Sequence, residues 1–246
     1  KSKLAFIHRM DGDADIYFVS NQRDQFDSLD CTFRVSGKVP ELWHPDTGRI
    51  EQAPVWREEN GRTIVPLPFD PAGSVFVVFR KKAGAGDHIA SAKYVTAHEL
   101  AITNEPPAFQ LVANTDDTLE FRASTPAVAE LTTASGKMLK LEVRDVPKPV
   151  EVVGPWELKF PPNWGAPAQV SQAQLSSWTE NSESGVKYFS GTATYVKELE
   201  IPAGMFTGGN LLWLNLGEVK NIAEVFVNGK PLGILWKPPF RANITG

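Results

Sequence analysis

Short stretches of alternating or continuous apolar residues, separated by Gly, Asn, Asp and Pro, dominate this chain, and sustained helical periodicity is missing. Residues 4–7, 15–19, 29–35, 39–43, 63–67 and 74–79 read as strands. Asp11-Gly12, Ser36-Gly37, Asp46-Thr47-Gly48, Asn60-Gly61 and Asp70-Pro71-Ala72-Gly73 punctuate them with residues that favour turn geometry. Strands at this spacing without long helices between them predict an all-β fold of antiparallel β-sandwich domains, the first over residues 1–82.

Residues 83–147 are expected to hold a linker and a small β-rich section. The Ala-Gly-Ala-Gly-Asp run within 81–88 has little side chain to pack and reads as a flexible excursion. Strands are expected at 109–113, 118–123, 128–132 and 138–143, while 94–103 fits strand or loop. The turn 114–117 separates the first two. Pro147 and Pro149 mark a stiff boundary, after which residues 148–246 form a third β-rich domain. It is expected to start near 154–160, to carry a Pro-rich loop at 161–167 and a short helix within 171–184, and to return to strand at 191–201 and 210–216. Near-continuous apolarity at 210–216 predicts a strand covered on both faces, with Trp213 in the core. Residues 222–227 and 232–236 around Asn228-Gly229 read as a tight hairpin. A further strand at 240–245 would need a partner beyond Gly246, which leaves this last domain incomplete.

Composition narrows the function classes. Of 246 residues, 42% are hydrophobic and 22% charged, as in a globular protein, and the net charge of −4 gives no broad basic surface for nucleic acid. Cys31 is the single cysteine, so no intrachain disulfide forms, and the thiol reads as a small buried hydrophobe. No apolar run approaches the roughly 18 residues of a membrane span, which argues against membrane insertion. No signal-type segment precedes Leu4, a fact silent on location because such segments are removed.

Nucleotide-loop, zinc-protease and nucleophile-elbow motifs do not occur. Asp11, Asp13 and Asp15 are the densest carboxylate group. Alternation would place them on one side of a strand, whereas Gly12 suits a turn, so a solvated turn, a Ca²⁺ or sugar contact and a catalytic role stand as alternatives. The run lacks the full spacing of a calcium loop, and no other cofactor is implied. His8, His44, His88 and His98 show no metal-ligand spacing. Trp156, Trp164, Trp178 and Trp236 can stack on the apolar face of a sugar, with Asn163 and Glu180 hydrogen-bonding its hydroxyls. The same indoles serve equally as core or seam residues.

From 150 onward the ordered segments Gly154-Pro155-Trp156-Glu157, the run 188–195 beginning Tyr188-Phe189, Leu216-Gly217-Glu218-Val219, the run 223–229 and Leu232-Gly233 resemble the galactose-binding-like jelly roll, the family 2 sugar-binding domain of carbohydrate hydrolases. With the runs 7–21 and 40–48 the whole chain resembles the noncatalytic C-terminal region of glycoside hydrolase family 106, whose activities include α-L-rhamnosidase. The resemblance implies a secreted or periplasmic carbohydrate enzyme whose catalytic carboxylates sit on a separate (β/α)₈ barrel. No catalytic residue is therefore assigned to this chain, and carbohydrate and that barrel are its implied partners. The implied role is a noncatalytic accessory one that supports or shapes the barrel. The alternative is an independent carbohydrate-binding module.

Overall fold

A computed structural model describes residues 3–96, 108–113 and 118–245. His98, the later part of 94–103 and the turn at 114–117 lie outside the described residues. The structure is all-β, with antiparallel pairing throughout. Contacts divide the chain into two compact units, residues 1–146 with 211–246 and residues 147–210.

In the first unit, β1 (Leu4–Asp11), β2 (Ala14–Asn21), β3 (Asp27–Phe33), β4 (Lys38–Trp43), β5 (Ile50–Gln52), β6 (Arg57–Glu59), β7 (Arg62–Phe69) and β8 (Ser74–Lys82) build a sandwich. One sheet runs β1-β2-β8-β4-β5 and the other β3-β7-β6. Tyr17 and Val19 from β2, Phe33 from β3, Val65 and Leu67 from β7, and Val77 and Phe79 from β8 meet between the sheets. They sit two residues apart on each strand because successive side chains leave a pleated strand on opposite faces. Cys31 packs partly buried against this core, and burial, helped by Asp30, pushes its thiol up to about 11.

β9 (Ile89–Thr96), β10 (Phe109–Ala113), β11 (Leu119–Ala123), β12 (Ala127–Thr133) and β13 (Met138–Val143) follow. β10 joins β5 through Ala113 and Gln52, so the first sheet continues through β10 to β11. The sheet β13-β12-β9 supplies Ala129 and Leu131 to a second core with Leu111 and Val55. At its edge Asp87 accepts hydrogen bonds from the backbone N–H and hydroxyl of Ser135, at 3.0 and 2.6 Å, which ties the Gly-rich 83–88 excursion to the turn after β12.

The second unit is smaller. β14 (Trp156–Lys159) pairs with β15 (Gln169–Gln172) on one side and β16 (Thr194–Val196) on the other. The expected strand at 191–201 thus shrinks to three residues. A short helix does form within 171–184, as a 3-10 turn at Trp178–Glu180, and α1 (Ser184–Lys187) follows. Leu158, Phe160, Val186 and Phe189 make the core.

Residues 211–246 carry β17 (Trp213–Asn215), β18 (Ala223–Val227), β19 (Lys230–Leu235) and β20 (Arg241–Asn243). Asn228 and Gly229 take positive φ in the β18–β19 turn, the left-handed geometry that Asn-Gly tolerates best. Lys237, mostly buried, reaches Asp46 at 3.1 Å and Asp70 at 3.2 Å, pinning this segment to the first sandwich.

Two expectations about this segment are corrected. β20 finds its partner inside the chain, pairing with β17 from Trp213 opposite Asn243 to Asn215 opposite Arg241. Trp213 is 46% exposed rather than core, because β17 has only three residues and pairs on one side. Its ring is instead covered in part by the Arg241 guanidinium, 4.9 Å from the centroid. The buried residue of that run is its neighbour Leu212.

Candidate functional site

Three aromatic rings in the second unit converge on Phe189. Phe160 lies 4.9 Å from it edge-on, Trp178 lies 5.6 Å away edge-on, and Trp164 lies 6.4 Å away at a 40° tilt. Phe160 follows β14 directly, so the strand's alternation carries its ring inward two residues after Leu158. Phe189 follows the last residue of α1 by two positions and is buried beside Val186. Edge-to-face packing sets the positive rim of one ring against the negative face of the next and adds about 0.5–1.5 kcal/mol per pair beyond area burial.

The loop 161–167 places Trp164 at the rim of this cluster. Asn163 has φ +65° and Gly165 φ +91°, and this left-handed geometry on both sides turns the indole over the cluster. Two close approaches hold the loop. A Cβ on Gly185, at the start of α1, would come within 2.2 Å of the Gly165 carbonyl oxygen. One on Gly191 would come within 3.0 Å of both Trp164 and Phe189. Trp164 is backed by Phe189 and Gly191 yet remains 62% exposed. Tyr188, next to Phe189, is exposed as well, with the Lys187 ammonium 5.8 Å from its ring.

Trp178 is used differently. It starts the 3-10 turn capped by Ser177, packs against the core, and donates its indole N–H to the Tyr195 hydroxyl at 2.6 Å. Burial raises the Tyr195 hydroxyl pKa and that hydrogen bond opposes the rise. Glu180, at the end of the turn, is exposed. Trp156 begins β14 and packs partly buried on the same core, with Lys197 6.0 Å from its ring. Trp236, in the other unit, is exposed one residue before Lys237. Of the six sequence candidates for sugar contact, five lie in the second unit, and Asn163 and Trp164 share one loop tip. Phe189 and Tyr195 organise the cluster, and neither stands out in the sequence as a single residue. The only trace in the sequence was aromatic density across 156–195, which cannot say which rings meet.

The three aspartates do not act as a group. Asp11 ends β1 and Asp13 sits in the hairpin turn, both exposed. Asp15 is mostly buried and accepts from His8 Nε2 and Lys38 Nζ, both at 3.0 Å, and Lys38 also reaches the Asp13 carbonyl oxygen. Its lone pairs thus serve a local ion-pair network. Among the described residues no cluster of three or more His, Cys, Asp or Glu side chains has metal-binding geometry.

Two other buried carboxylates belong to the fold. Glu41 accepts from Trp43 Nε1 at 3.0 Å and pairs with Arg80 at 2.9 Å and Lys81 at 3.1 Å. Burial alone would raise its pKa, but these three donors outweigh it and hold the carboxyl below its usual range. Glu51 pairs with Arg49 at 2.7 Å and His44 at 2.8 Å. Each carboxylate is held by an Arg guanidinium, Arg80 for Glu41 and Arg49 for Glu51, an arrangement that serves the first sheet.

Comparison with known proteins adds the biochemical setting. The α-L-rhamnosidase family, glycoside hydrolase family 106, matches residues 1–57. The structure resembles that of a rhamnosidase from Novosphingobium sp. PP1Y over 99% of this chain and 18% of that one, with TM-score 0.67 and 34% identity. A Formosa agariphila protein named as a candidate β-glucuronidase is 38% identical over 136 residues, which are 55% of this chain and 12% of that protein. The chain therefore spans less than a fifth of either relative. Their names differ in the sugar and agree on glycoside hydrolysis, and this chain is similar to a part of each.

Proposed function

We propose that these residues are a noncatalytic accessory region of a longer, rhamnosidase-like glycoside hydrolase, and that they brace a catalytic barrel located elsewhere in that polypeptide. One observation carries this reading. The β18–β19 hairpin pairs with no other strand among the described residues, and Ile222, Phe226, Ile234 and Trp236 along it are each more than half exposed. A lone two-stranded hairpin is marginal in water, and clustered exposed apolar side chains mark surfaces that another part of a protein covers. The barrel is that cover. Residues 148–246, the second unit together with β17 to β20 of the first, then act as the galactose-binding-like portion of the region, in an enzyme that works in the periplasm or outside the cell, where polymeric glycans are met.

The test is to place Phe226→Ser together with Ile234→Ser in the longer polypeptide and in residues 1–246 alone. The account expects a lower melting temperature and lower rhamnosidase activity in the longer protein, and little change in the isolated region. Unchanged stability and activity of the longer protein would rule the bracing role out. A second reading, an independent carbohydrate-binding module, is favoured by the exposure of Trp164.

A further inference from the structure

Two groups of exposed apolar side chains differ in their chemical setting. Along β18 and β19 they follow one another, with Phe226, Ile234 and Trp236 near Ile222, as a protein-covering surface requires. Trp164 stands in small polar company. Asn163 precedes it, and a Cβ on Gly191, which Ser190 and Thr192 flank in the chain, would meet the Cζ3 atom of its ring at 3.0 Å. All three polar neighbours are exposed, and none carries a charge.

From this contrast we infer that Trp164 is a stacking platform for a neutral sugar ring, with Asn163 as its hydrogen-bonding neighbour. A pyranose offers one face of C–H groups and a rim of hydroxyls. The C–H face needs a flat apolar partner of about the size of an indole, and the rim needs short uncharged donors and acceptors. Trp164 supplies the first and Asn163, Ser190 and Thr192 the second. Rigidity matters for a weak ligand, since ordering a mobile loop would consume much of the gain. Here Gly185 and Gly191 hold the loop and ring against backbone and Phe189, so the indole is set before the sugar arrives. The other three candidate indoles are poorer platforms. Trp178 is committed to Tyr195 and the core, Trp156 packs on the same core, and Trp236 belongs to the apolar hairpin surface. Only the choice of a sugar as ligand class rests on the carbohydrate reading above.

Titration of residues 1–246 with methyl α-L-rhamnoside, methyl α-D-galactoside and sodium glucuronate, read by two-dimensional amide NMR, tests the inference. Saturable shifts at 163–166 and 190–192 are expected for a neutral glycoside, with a dissociation constant on the order of millimolar. Trp164→Ala should weaken it by about tenfold or more while Trp164→Phe retains part of it, and Trp236→Ala should leave it unchanged. The amide spectrum outside the loop verifies folding of each variant. No saturable shift up to about 100 mM sugar, binding only of glucuronate, or binding indifferent to Trp164→Ala each overturns the platform. Those outcomes leave the bracing role untouched, because that role is read from the stability of the longer polypeptide.

Discussion

Replacing Phe189 by alanine should destabilise the second unit selectively. Phe189 is buried, touches Phe160, Trp178 and Trp164, and sits beside Leu158 and Val186 in a core with few other members. Truncating a buried Phe costs about 3–5 kcal/mol, the lost transfer energy plus that of the cavity left behind. At about 0.05–0.15 kcal/mol per residue, a unit of about 60 residues has roughly 3–9 kcal/mol in all. The substitution therefore removes at least about a third of its stability and, at the lower end of that range, all of it. Hydrogen exchange followed by mass spectrometry reads this directly. Amides of β14, β15 and α1 should exchange roughly two to three and a half decades faster, while those of β2, β7 and β8 keep their protection. Trp164→Ala, at an exposed ring, should change the same amides by less than about tenfold. If β14 and α1 exchange as in the parent protein, Phe189 is not the centre of that core and the construction of the site is wrong.

Other outcomes follow from single contacts. Gly185→Ala drives a Cβ into the Gly165 carbonyl oxygen and should cost about 1–3 kcal/mol, seen as a lower urea midpoint for the second unit. Glu41→Gln weakens the pairing with Arg80 and Lys81. Because both cations are about half solvated, the cost should stay near 1–2 kcal/mol by thermal melting, and a loss above about 5 kcal/mol would contradict this balance. Asp87 has its carboxyl held down to about 2, first by the Ser135 hydroxyl and then by Thr133 and the Ser135 N–H. Its contribution is fully present above the unfolded value near 3.9 and is lost as pH falls through about 2. Asp87→Asn should lower the melting temperature at pH 7 and reduce the drop in melting temperature between pH 4 and pH 2.

Local pattern made much of the fold legible. Strands at 109–113 and 138–143 occur with the expected bounds, since flanking turns and alternation agree there. β5, β6 and β15 were invisible because three or four residues carry too little periodicity, and their pairing partners, not their own sequences, select strand. Trp213 shows the opposite failure. Its run is apolar enough to be core, but burial depends on how many neighbours a strand acquires, and β17 acquires one. For the site, Asn163 and Trp164 were named from chemistry alone. The link from Trp178 to Tyr195 and the convergence of three rings on Phe189 depend on how the chain folds back on itself and have no linear signature.

The central claim is that this region serves a glycoside hydrolase without cutting the bond itself. Purified residues 1–246, confirmed folded by their amide spectrum, should release no nitrophenolate above the buffer blank from saturating 4-nitrophenyl α-L-rhamnoside. Turnover that tracks the protein through successive columns would contradict the claim.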